Sequence, residues 1–185
     1  MLCKPSSSSI VGCQPSSFPA IAAGDDQSTQ ALTAKLKESK ISLADGIRQA
    51  EKQYGLAISA KFELEDGTLN LSVYNAKEGR GKDAEHNVLT EAAGDASKSP
   101  WAPKLEVFAD KEHLTRSATQ LTLVQTSKIG LADAVKKVAN RGTVYSVAPI
   151  IAGNATVYEV LVAAPDGKST KFDIDAATGK VAVVR

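Results

Sequence analysis

With 185 residues, 43% of them hydrophobic and 23% charged, and a formal net charge of +1, the chain holds enough apolar material for one medium domain or two small ones. The charge balance argues against a nucleic-acid partner, because Lys and Arg are interleaved with Asp and Glu along both halves instead of gathering into a basic stripe. No run approaches the roughly 18 apolar residues that cross a bilayer, so no membrane span is expected.

Residues 1–27 read as a signal-like, irregular segment, rich in Ser and Pro and without helical or strand periodicity. Ala20-Ile21-Ala22, followed by a polar stretch from Gly24, has the small-x-small form of a secretory cleavage site. Upstream of it there is no apolar stretch of the roughly 7 to 15 residues that a signal peptide carries, so a misassigned start or an altered signal region is expected. Export, to the periplasm or outside the cell, is the corresponding localisation. Both cysteines, Cys3 and Cys13, precede that site. Ile10-Val11-Gly12-Cys13 loosely resembles a lipobox, which would make Cys13 a point of lipid attachment. The remaining chain has no cysteine and needs no redox chemistry.

Beyond this segment the chain repeats itself. Lys40-Ile41-Ser42-Leu43-Ala44-Asp45-Gly46-Ile47 returns as Lys128-Ile129-Gly130-Leu131-Ala132-Asp133-Ala134-Val135, 88 residues later. The spacing predicts a first repeat over 28–97, a linker over 98–114 stiffened by Pro100 and Pro103, and a second repeat over 115–185. Each opens on a polar helical stretch, Ser28 to Ser39 and Thr115 to Ser127. An amphipathic helix follows, with Leu43, Ile47, Ala50 and Tyr54 on one face in the first copy and Leu131, Val135 and Val138 in the second. Ser42 with Asp45 three residues on, and Gly130 with Asp133, mark the two helix starts.

After each helix the period changes from 3.6 to 2. Ser59 to Glu65, the turn Asp66-Gly67 and Thr68 to Ala76 form an expected hairpin with Leu69, Leu71 and Val73 on one face. In the second copy Tyr158, Val160 and Val162 alternate along a strand, Pro165-Asp166-Gly167-Lys168 turns, and Phe172 and Ile174 return on the core side. Asp175-Ala176-Ala177-Thr178-Gly179-Lys180 then leads into a last strand, Val181 to Val184. A faint first-copy version of that closing turn can be laid at Glu91-Ala92-Ala93-Gly94. The fold class is therefore α+β: two repeats, each a helix packed on an antiparallel β-meander sheet.

Ile129 to Val135, Tyr158-Glu159-Val160-Leu161-Val162, and Phe172 to Val181 with its Asp175-x-x-Thr178-Gly179-x-Val181 ending resemble the PepSY domain. The match covers about Lys128 to Arg185, and Lys40 to Asp95 resembles it in the helix and hairpin. The resemblance implies a bacterial envelope or secreted module, in a free-standing tandem form, of a kind proposed to bind or inhibit peptidases. Its shared residues are packing and turn residues and bring no catalytic group.

No site residue is nominated, whether catalytic, cofactor-binding or metal-binding, and no cofactor is expected. His86 and His113 lack a second ligand at metal spacing and read as surface residues. Asp173 and Asp175 lie two apart on one strand without the grammar of a calcium loop, and Asp175 reads as a turn cap. Trp101 is expected to pack across the seam between the repeats, with a partner anchor as the alternative. No Gly-x-Ser-x-Gly or phosphate loop occurs. The function expected is a non-enzymatic exported binding or regulatory module, with a protein or peptide partner taken at a sheet edge or between the repeats. A periplasmic small-ligand or metal-binding protein is the alternative.

Overall fold

The computed structural model describes residues 25–184. The cleavage site at Ala20-Ile21-Ala22 and the readings of Cys3 and Cys13 lie outside the described residues.

Two successive units follow one plan of two helices and four strands. The first comprises α1 (Asp25–Lys35), α2 (Leu43–Tyr54), β1 (Leu56–Glu65), β2 (Thr68–Ala76), β3 (Leu89–Asp95) and β4 (Lys104–Val107). The second comprises α3 (Lys111–Thr126), α4 (Leu131–Val138), β5 (Thr143–Ala152), β6 (Ala155–Ala163), β7 (Ser169–Asp175) and β8 (Val181–Val184). All eight strands join in one antiparallel sheet, in the order β4-β3-β2-β1-β5-β6-β7-β8. The order reads alike from either end, so a pseudo-two-fold axis passes through the β1–β5 pair. There Ala60 lies opposite Val147, and one row of side chains runs the full width of the sheet: Leu105, Ala92, Val73, Ala60, Val147, Val160, Phe172 and Val183.

Residue chemistry explains why both units take the same path. Ser42 begins α2 by accepting a hydrogen bond from the Asp45 amide at 3.1 Å and donating to its carboxylate at 2.6 Å, whereas Gly130 begins α4 without a side-chain cap. Leu43, Ile47, Ala50, Leu131, Val135 and Val138 are all buried. Helices α2 and α4 pack side by side on the sheet face that carries the central row, and Leu71 of that face meets α2 at Gly46. Successive strand residues point to opposite faces. Ser59 and its cross-strand partner Tyr74 therefore lie on the other face, where Ser59 donates to Gln120 of α3 at 2.8 Å.

Four features depart from the expected plan, the first being that α1 begins at Asp25, inside the stretch 1–27 read as irregular. Each unit has a second strand partner that the meander reading lacked: β5 precedes Tyr158's strand, and β4 lies inside the stretch read as linker. Helix α3 begins at Lys111, also inside that stretch. The closing turn of the first unit is at Asp95, not at Glu91. Asp95 ends β3 as Asp175 ends β7, and Ala96 O accepts the Lys40 amide at 2.8 Å as Ala176 O accepts the Lys128 amide at 2.9 Å. The β2–β3 connection is longer than the β6–β7 connection, which displaces the first-unit turn in sequence and hides it from a fixed offset.

Candidate functional site

Among the described residues the sheet is open, and its two outermost strands are the places where backbone has no partner strand. Strand β4 is exposed along its whole length, and β8 is exposed at Val181, Ala182 and Val183. On the α2/α4 face each outer strand presents two apolar side chains, Leu105 (48% exposed) and Val107 (58%) on β4, Val181 (39%) and Val183 (58%) on β8. Leu105 and Val183 are the two ends of the central row, so its apolar character continues past the cover that the helices give. An edge of this kind can take an added strand by main-chain hydrogen bonding, with alternate side chains supplying selectivity.

The opposite face near β4 is built from charged and aromatic groups. Tyr74 stacks on Phe108 with ring centroids 5.7 Å apart, and Phe108 stacks on His113 at 5.1 Å. Burial, and then the neighbouring Glu91 carboxylate, push the Tyr74 hydroxyl well above the usual phenol range. Glu91 itself lies directly across from Glu106 on β4.

The residues weighed in the sequence take structural positions. His86 is largely exposed and its Nδ1 lies 2.6 Å from Asp83, which also accepts the His86 amide at 3.0 Å. His113 repeats this arrangement at the start of α3, with Nδ1 2.8 Å from Asp110 and its amide donating to the same carboxylate at 2.9 Å. The signal was present in the chain as Asp83-Ala84-Glu85-His86 and Asp110-Lys111-Glu112-His113, one capping pattern written twice. Asp175 caps its turn, accepting from the amides of Ala177 and Thr178 and from the Thr178 hydroxyl at 2.7–3.1 Å. These bonds, the Thr178 hydroxyl first, hold its carboxyl below the usual range. Asp173 lies on a different strand row beside Glu159 and is not brought to Asp175's turn as a second ligand. Among the described residues no group of three or more His, Cys, Asp or Glu side chains could hold a metal ion.

Trp101 is not at the seam. It is 3% exposed and lies within the first unit, its Nε1 donating to Gly94 O at 3.1 Å while its carbonyl accepts from Gln49 of α2 at 2.8 Å. Arg80, between β2 and β3, joins Ser59 in bridging the units: its guanidinium donates to the carbonyls of Val124 and Ser127 at 2.5 and 2.9 Å and so caps the C-terminus of α3. A lone Arg beside a Gly-containing loop gives no sequence sign of that role.

Two concavities lie on the surface of the described residues. One lies between α1 and the β6–β7 turn, lined by residues that include Thr33, Arg141 and Lys168. The other, of about 790 Å³, is an apolar groove between α3 and the end of β5, where Leu123, Pro149 and Ile151 meet Thr115, Thr119 and Gln120. Among the described residues no helix is long and apolar enough to cross a membrane.

No curated protein matches this chain. A crystal structure of a "putative lipoprotein" from Clostridium difficile 630 is similar at 18% identity, covering 79% of this chain and 93% of that one with a TM-score of 0.41. The family model described as "Peptidase propeptide and YPEB domain" matches residues 128–182, a span that runs from the residue paired with Ala176 O, through α4 and the β5–β7 meander, into β8. The match to the PepSY family thus falls within the second unit, over residues 128–182.

Proposed function

We propose that the protein is a non-catalytic, exported binding module that regulates a peptidase by taking one of its extended segments as an additional strand on β8. The observation that carries this reading is the β8 edge. Val181 and Val183 stand exposed on one side of a four-residue outer strand, free of the charged side chains that usually guard an edge, and the span that matches a peptidase propeptide family ends within this strand, at residue 182. Export agrees with that family and with the small-x-small site before Asp25.

The test is titration of the intact protein against a secreted metallopeptidase, followed by activity and by direct binding. Inhibition or binding that weakens about tenfold or more in Val183→Lys supports the reading, since a buried-on-docking apolar contact is replaced by a charge. Equal binding by wild type and Val183→Lys removes β8 from the interface, and no binding by either removes the function. The groove of about 790 Å³ falls within the roughly 300–1,000 Å³ range of ligand pockets and is the one observation favouring a small-ligand protein. A thermal-shift panel of apolar metabolites distinguishes the two, because a ligand at about a hundred times its Kd adds about 2.7 kcal/mol.

A further inference from the structure

The two outer strands occupy equivalent places about the pseudo-two-fold axis but carry different chemistry. On the α3 face β4 presents Lys104 and Glu106, where β8 presents Ala182 and Val184. Glu106 is set directly across from Glu91 of β3, an arrangement of like charges that is unfavourable between neighbouring strands. Among the described residues none of Lys104, Glu106 and Glu91 forms an ion pair. Among the described residues the β4 edge therefore offers an apolar pair on one face, an unpaired cation and an acidic pair on the other, and a backbone without a neighbouring strand.

A strand that answers all of these needs apolar residues alternating with a base and an acid two positions apart, running antiparallel. Lys104-Leu105-Glu106-Val107 is itself such a strand. Laid antiparallel on a copy of itself with Leu105 opposite Leu105, it puts Lys104 of each copy opposite Glu106 of the other. The same register brings each new Lys beside the Glu91–Glu106 pair, and Leu105 against Leu105 extends the central apolar row. A slip of one residue would set Leu105 against Glu106 and lose every match.

We propose that two copies of this chain pair through β4, antiparallel and centred on Leu105, to make one continuous sheet. This interface is separate from the β8 edge assigned to a peptidase segment, so either can fail without the other. Sedimentation velocity on the intact protein at tens of micromolar is expected to give twice the monomer mass of 19.3 kDa. Lys104→Glu and Glu106→Lys, each checked for an unchanged circular dichroism spectrum, are expected to give monomers, because each sets like charges opposite one another. An equimolar mixture of the two is expected to regain the doubled mass, since acid now meets base in both pairs, and the double variant K104E/E106K should dimerise alone. A monomeric wild type would make Lys104 and Glu106 mere guards of the edge and overturn the proposal. So would single variants that remain dimeric, or a mixture that stays monomeric.

Discussion

Gly55 and Gly142 close α2 and the 3-10 turn after α4 at equivalent points, and both need positive φ, 99° and 150°. A Cβ on either would come within 3.0 Å of a strand carbonyl, Ala76 O or Ala163 O. The strain and the clash act together, so Gly55→Ala or Gly142→Ala should cost on the order of 1–3 kcal/mol in urea unfolding, with little relief from repacking because the obstacle is backbone. Trp101 gives a second prediction at this scale. Its ring fills the space over Gly94 and its carbonyl anchors Gln49, so Trp101→Ala should cost about 3–5 kcal/mol. Trp101→Phe, which keeps most of the ring and forfeits the bond to Gly94 O, should cost markedly less in the same measurement.

Several elements are also held at their ends by side chains. Arg80 satisfies two carbonyls at the end of α3, and Arg80→Ala should lower stability by about 1.5–3 kcal/mol by denaturant melting, the range for hydrogen bonds from a charged donor. Turn and cap carboxylates do the same work at the starts. Asp83, Asp95, Asp110, Asp166 and Asp175 are all held below their ordinary value of 3.8 by bonds from nearby amides or side chains. A carboxyl whose folded pKa is depressed adds stability above its unfolded pKa and loses it as pH falls through the folded value. Stability should therefore decline below about pH 4, and Asp175→Asn should flatten that decline, as read from urea midpoints at pH 5 and pH 3.

Much of this level was legible in the chain. The 3.6-residue spacing of Leu43, Ile47 and Ala50 sets α2, and the Asp66-Gly67 turn sets the β1–β2 hairpin, because in both the local chemistry and the tertiary packing agree. Strand β4 was not legible, since four exposed residues offer only two apolar positions to count. The Asp95 turn was masked by the longer β2–β3 connection and by Ser97-Lys98 standing where the second unit has Ala177-Thr178. The edge chemistry of Lys104 and Glu106 depends on which strand is outermost, which no local pattern carries.

At the scale of the molecule the two units share one core. Helix α3 follows β4 in the chain but packs against β1 and β3 of the first unit as well as β5, and α2 packs on α4. Separating residues 25–108 from 109–185 would bare one face of Tyr74 and Phe108 and the open side of β1 in one piece, and the matching side of β5 in the other. Small units of this size bury too little surface to absorb that loss. Each piece expressed alone should lack a cooperative thermal transition, and mixing the two should restore one by circular dichroism.

The contact at the middle of the sheet sets Ala60 against Val147, a residue against its own counterpart. That is the geometry of an isologous subunit interface, in which one patch meets a second example of itself. The two halves of the polypeptide are thus arranged as the protomers of a homodimer would be. Being one chain, they need not be alike, and their rims differ: one carries Lys104 and Glu106 where the other has Ala182 and Val184.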